Sequence, residues 1–309
     1  MALLALATLL SCQPENVREE KAIRRQLAHE MRHHSYESAI PLARRVLHSA
    51  PQDQKVWRQL VQAQLGLHDL DGARVTLSDW RATAQPLLFR IEEFEGDILR
   101  EEGNFGSALQ SWQKSIAIQP KNRRVFSKIA ASEQRDGRWS DAKAAWTRVL
   151  EIRDNATARI NRAVCFRRLR QWNEAFEDLH HARKLGPEDA DVQRWSKVFE
   201  SLSKYLDEIR ELDARVAAIP DDADLLAERA LLMLRSGDAE LSLDDSEHAA
   251  RLAPWAVRPK LFEALALVAL NRGPECERLS VRLPLHITSL TPEFLETIGR
   301  LDSAIRLNG

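Results

Sequence analysis

The constellation in this 309-residue chain that could do chemistry is His29-Glu30-Met31-Arg32-His33. On a helix, residues four apart share a face. Both imidazoles could then hold one zinc ion, with the glutamate as general base for a hydrolysis. Features of the same stretch argue against this. Arg32 places a charge inside the pattern, and the segment His34-Ser35-Tyr36 that follows supplies no evident third ligand. The flanking residues are polar and give the pair no apolar bed. The motif is therefore read as a solvated helix face, and zinc-dependent peptide hydrolysis as the last of the functional alternatives. His180 and His181 are read in the same way, as surface. No G-x-S-x-G, Walker loop, dinucleotide fingerprint or C-x-x-C occurs. No catalytic residue, metal or cofactor is expected.

The elements that carry these residues announce themselves through proline. Pro51, Pro86, Pro120, Pro187, Pro220 and Pro254 are separated by steps of 35, 34, 67, 33 and 34 residues, with Asp154 standing where the double step lacks a proline. A helix-stopping residue every 34 or so positions marks a helix-turn-helix array. Other residue classes keep the same period. An aromatic recurs as Phe105, Trp139 and Trp172, a small residue as Ala108, Ala142 and Ala175, and a large apolar residue as Trp112, Trp146 and Leu179. Gly103, Gly137 and Gly237 fall between paired helices, where a positive φ is cheap for glycine.

These offsets resemble the tetratricopeptide repeat (TPR). The resemblance implies an all-α fold, a right-handed TPR superhelix (α-solenoid) of about seven helix-turn-helix repeats with a C-terminal capping helix. The repeats run over 20–53, 54–88, 89–122, 123–155, 156–189, 190–222 and 223–256. Small residues are expected at the crossings: Ala39, Ala73, Ala108, Ala142 and Ala175 in second helices, and Gly96, Ala130, Ala163 and Ala230 in first helices, with Leu27 a poor fit. In the sixth repeat Glu208 stands where alanine belongs, so packing there is expected to loosen. A further helix starts near Val257 and closes the 20–273 array. Within 274–309, Pro284 interrupts an irregular segment. Thr291-Pro292-Glu293 then opens a helix whose Phe294, Leu295, Ile298, Leu301 and Ile305 cap the last repeat. In a solenoid each repeat meets only its neighbours. Cys165 and Cys276, about three repeats apart, are accordingly expected to form no disulfide.

The resemblance also implies where binding occurs. TPR first helices line a groove, and their groove-facing positions here are Lys55, Arg58, Arg90, Arg124, Lys128, Asn161 and Arg167, followed by Asp224 and Glu228. Such a groove suits a protein partner or extended peptide with an acidic segment. Glu93 and Asp97 dilute its charge and replace the residues of a chaperone-type carboxylate clamp, so chaperone binding is not expected. With 45 Lys+Arg against 46 Asp+Glu, the chain lacks the basic excess of a nucleic-acid binder.

The first residues, MALLALATLLSC, resemble the end of a bacterial lipoprotein signal peptide, with Leu9-Leu10-Ser11-Cys12 as the lipobox and no opening lysine or arginine. This implies a signal peptide over 1–11, lipid on Cys12, and a tether over 12–20. The expected function is a non-catalytic adaptor that holds proteins together while anchored in the bacterial cell envelope, facing the periplasm or exterior. A cytoplasmic adaptor is the alternative.

Overall fold

The computed structural model describes residues 15–280. Sixteen α-helices and no strand lie among them. The chain divides into two compact units, residues 1–154 and 155–309. The first contains α1 (Glu15–Arg32), α2 (Tyr36–Ser49), α3 (Gln54–Gly66), α4 (Leu70–Arg81), α5 (Leu88–Glu101), α6 (Phe105–Ile118), α7 (Arg123–Arg135) and α8 (Trp139–Ile152). The second contains α9 (Ala156–Arg168), α10 (Trp172–Leu185), α11 (Ala190–Ser203), α12 (Leu206–Ala218), α13 (Ala223–Arg235), α14 (Ala239–Leu252), α15 (Val257–Ala269) and α16 (Gly273–Ser280). Helix α1 begins inside the stretch expected to be a tether. The expected lipid attachment at Cys12 and the capping helix after Thr291 lie outside the described residues.

Helices pair through one local device. Residues 34, 68, 103, 137, 170, 237 and 271 all take positive φ, at +56° to +81°. In each case the next amide donates to the carbonyl five residues before it, as Asn104 N does to Leu99 O (2.8 Å) and Arg138 N to Glu133 O (2.8 Å). This Schellman turn satisfies carbonyls that the helix end leaves unpaired and sends the chain back antiparallel. The three glycines take these places as expected; His34, His68, Arg170 and Asn271 take the others. Asp53, Asp69, Asn155, Asp189, Asp222 and Asp238 then start helices by accepting from exposed first-turn amides.

The small residues pack as expected. Ala39, Ala73, Ala108, Ala142, Ala175, Ala130, Ala163 and Ala230 are all fully buried. A Cβ at Gly96 would collide with the Trp112 indole and stand 3.0 Å from Ala108 O, so glycine alone fits this crossing. Trp112 itself is fully buried, and Trp146 and Leu179 nearly so. Leu27 is buried too: the first crossing accepts its larger side chain beside Ala39 and Ala43.

Hairpin α11–α12 breaks the rule. Lys204 stands at the turn register with φ −67°, and no Schellman bond forms there. Without that reversal α11 and α12 scarcely touch, and exposed Glu208 replaces the small residue that would have let them close. Each helix packs elsewhere. Phe199 of α11 meets Phe176 of α10 edge-on at 5.1 Å. Ile209 and Leu212 of α12 join Leu232 and Met233 of α13 in a cluster that also takes Trp172 and Leu202.

The opening brings hairpin α9–α10 directly onto hairpin α13–α14. Arg167 bonds Asp238 and Glu240 (2.5 Å to the latter), and Arg168 reaches Asp244 at 2.9 Å. Arg170 and Arg229 both bridge Asp213 and Asp245 at 2.7–3.1 Å, and the Trp172 indole N–H donates to Asp213 at 2.8 Å. The expectation that a repeat meets only its neighbours therefore fails at this point. The physical cause is the missing left-handed turn at 204, which lets the intervening pair open. Neither Cys165 nor Cys276 is in a disulfide among the described residues.

Candidate functional site: the first-helix face of residues 1–154

On the first-helix face of the amino-terminal unit, α5 and α7 hold a charged cluster. Glu93 is almost fully buried and Asp97 nearly so. Both accept from the Lys128 ammonium, at 2.8 and 2.7 Å. Arg90 and Asn122 complete the Glu93 carboxylate at 2.7 and 3.3 Å. The Trp112 indole N–H is shared between Asp97 Oδ1 and Glu93 O, each at 3.2 Å. The cluster thus ties a core tryptophan to the face above it, and the buried charges are paired and hydrogen-bonded as burial requires.

The two carboxyls titrate in opposite directions. Burial alone would raise Glu93, but the charge and hydrogen bond of Lys128, with help from Arg90 and Asn122, hold it below its ordinary value. At Asp97 burial wins over Lys128, and the nearby Glu93 charge adds to it, so this carboxyl sits above its ordinary value. A lowered folded-state pKa stabilises above the unfolded value and loses that contribution as pH falls through the folded one; a raised pKa does the reverse. Glu93→Gln should therefore flatten the acid loss of stability below about pH 5, and Asp97→Asn should steepen it. Urea midpoints of the full chain measured across that range check both signs.

The groove residues named from the sequence differ in availability. Arg124 and Lys55 are exposed, and Arg58 is half-buried with its Nε enclosed and unbonded. Arg124, Arg100, Lys128 and Arg135 line a concavity of about 350 Å3 with Ser127 and Ser132. Arg100 and Arg135 pair there with Glu101 and Asp136. Arg90 and Lys128 are committed to the buried carboxylates. In the carboxy-terminal unit, Asn161 donates to Thr157 O of its own helix at 2.8 Å. Arg167 is 1% exposed. Its place among groove-facing residues needs correcting, because the clasp with Asp238 and Glu240 encloses its guanidinium. Asp224 and Glu228 are exposed, with Glu228 3.4 Å from Arg215. The His29 and His33 rings lie 4.4 Å apart, and no group of three or more potential metal ligands occurs among the described residues.

Residues 30–87 match the family model described as tetratricopeptide repeat, and the same hairpin and turn recur beyond them except at α11–α12. The described residues have the tetratricopeptide-repeat (TPR) solenoid fold. Solved structures similar to this TPR chain include a TPR protein from Parabacteroides merdae, 16% identical over 82% of this chain and 99% of that one, with a TM-score of 0.48. TTC0263 of Thermus thermophilus is 20% identical over 56% of this chain and 95% of that one, with a TM-score of 0.44. A chain of the APC/C hetero-tetramer Cut9–Hcn1 is 14% identical with a TM-score of 0.41; the match takes in 75% of this chain but spans only 39% of that one. No curated protein matches.

The feature of this TPR array that residue-by-residue reading missed is the clasp of Arg167, Arg168, Arg170, Arg229, Asp213 and Asp245. One signal was present: Arg167, Arg168 and Arg170 cluster at a hairpin turn where three other repeats carry glycine. The TPR fold is a scaffold for protein–protein contact. No described helix is long and apolar enough to cross a membrane.

Proposed function

We propose that this TPR protein is a non-catalytic adaptor whose amino-terminal unit receives an acidic segment of a protein partner on its first-helix face. The observation that carries the reading is Arg124, an exposed guanidinium with no ion pair among the described residues, set in a concavity whose charged lining is cationic. A planar guanidinium presented in this way takes a carboxylate in two parallel hydrogen bonds. Lys55 and Arg58, from the first helix two repeats earlier, add exposed and half-buried positive charge to the same face of the unit. Lys128 orders the floor by tying Glu93 to Asp97 and is not itself a contact.

The test is crosslinked capture from cell-envelope fractions with the full chain. Arg124→Glu should reduce recovery of the specific partner about tenfold or more, as loss and reversal of one charged contact implies. Recovery equal to that of the parent chain would remove the groove from the account. Lys128→Glu is the wrong probe, since it sets a third carboxylate beside Glu93 and Asp97 and unfolds the face it is meant to test. Anchoring through lipid on Cys12 in the bacterial cell envelope is part of the same proposal, supported by the lipobox resemblance. Fatty-acid analogue labelling should disappear in Cys12→Ala, and the chain should leave the membrane fraction. A soluble, unlabelled parent chain would instead make it a cytoplasmic adaptor.

A further inference from the structure

The opened sixth repeat leaves a second concavity, distinct from the first-helix face because a second helix forms one wall. It measures about 650 Å3 and lies between the last turns of α10 and the first turns of α11. His180, Arg183 and Lys184 come from α10, and Val192, Gln193, Ser196 and Lys197 from α11, with Pro187 between the two helices. No carboxylate lines it. Arg183, Lys184 and Lys197 make no ion pair with any described residue, in a chain whose other exposed arginines are repeatedly paired, as Arg74 is with Glu95 and Glu102 and Arg81 with Glu92. Asp189, which caps the start of α11, has its carboxylate engaged by the amides of Asp191 and Val192. The carbonyl end of α10 accounts for a preference for Arg183 and Lys184 in its last turn. It does not account for Lys197 facing them from the other wall.

The cleft lies where the second helix of the fifth repeat meets the first helix of the opened sixth. The missing turn at 204 frees α11 from α12, and the buried Arg167–Asp238 clasp holds the array in that departure. The hollow is ligand-sized and lined by a guanidinium, two ammonium groups, an imidazole and the Gln193 amide, whose NH2 donates to Pro187 O at 3.4 Å. Ser196 already donates its hydroxyl to Val192 O at 2.7 Å, leaving its oxygen as an acceptor. Volumes of this order suit small ligands, and such a donor set suits an oxyanion with several charges.

We propose that the α10–α11 cleft is a binding site for a phosphate-bearing anion, with Arg183 as the bidentate donor and Lys184 and Lys197 as flanking charges. The site acts independently of any partner on the first-helix face. The anion is either a free polyphosphate or the headgroup of an anionic lipid, two sources that share this chemistry.

The test uses the full-length chain in two arms. Calorimetric titration with inorganic triphosphate at about 0.1 M salt keeps screening moderate. Flotation with phosphatidic-acid vesicles, against phosphatidylcholine vesicles, tests the headgroup. The variants are Arg183→Ala/Lys197→Ala and, as a milder change, Lys197→Ala alone; Lys114→Ala, an exposed lysine elsewhere, is the control. Saturable binding of triphosphate, weakened about tenfold or more by the double variant and untouched by the control, supports the site with a free anion as its ligand. Flotation with phosphatidic acid only, lost in the same variant, supports the site with a headgroup as its ligand. Binding in neither arm overturns the proposal. So does binding that both variants retain.

Discussion

Arg167→Ala is expected to destabilise residues 155–309 by about 3–5 kcal/mol, the penalty for removing one partner of a buried ion pair. Arg167 is 1% exposed, and its guanidinium meets Asp238, itself 2% exposed, and Glu240. Burial works against the charged arginine, but the two carboxylates outweigh it and hold its pKa above the ordinary value. The truncation leaves Asp238 without its cation. Asp238 also caps α14 by accepting from Leu241 N at 3.1 Å, so the loss reaches the start of that helix. Arg167→Lys should recover little, because a point charge cannot reach both acids as a planar fork does. Denaturant midpoints of the full chain, with α9 and α14 followed separately by hydrogen exchange, give the size. A double change to Arg167→Met and Asp238→Leu should cost less than Arg167→Ala alone, since it leaves no buried unpaired charge and gives up only the Asp238 cap, worth about 1 kcal/mol.

The second large effect is in the amino-terminal unit. Trp112→Ala should cost about 3–5 kcal/mol, the range for emptying a fully buried aromatic site. The indole fills the space that Gly96 leaves, so the cavity cannot be closed by a small shift of α5 alone. Trp112→Phe keeps part of the ring and removes the N–H. Asp97 and the Glu93 carbonyl then lose a donor at 3.2 Å, and a cost of about 1–3 kcal/mol is expected. Gly96→Ala should destabilise despite alanine's better helix propensity, because its methyl group meets the indole. Thermal unfolding of the three variants orders them, and a neutral Gly96→Ala would show that the crossing is looser than drawn.

How far these features could be read from residues alone depends on whether they are set locally. Gly103, Gly137 and Gly237 disclose their turns because a positive φ costs glycine little. His34, His68, Arg170 and Asn271 occupy the same conformation with nothing in their type to announce it; only the 34-residue register does so. Lys204 holds that register and refuses the turn. Arg170, its counterpart one repeat earlier, accepts the turn and bridges Asp213 and Asp245 through the other end of its side chain. Residue type does not separate these two cations, and the partners that hold Arg170 come from helices 43 and 75 residues away. The binding face shows the same division. The exposure of Arg124 was legible because its position on α7 sets it. Lys128 and Arg167 share the spacing but not the availability, since Glu93, Asp97 and Asp238 arrive from other helices to pair with them. Glu208 was the one local sign that the sixth hairpin would not close.

The account stands on contact between the fifth and seventh repeats across an opened sixth. Hydrogen–deuterium exchange of the full chain, comparing the parent with Arg167→Ala, measures this directly. The account predicts that protection of α9 and α10 and of α13 and α14 falls together in the variant, by the same opening free energy. Loss confined to α9 and α10, with α13 and α14 as protected as before, would contradict it.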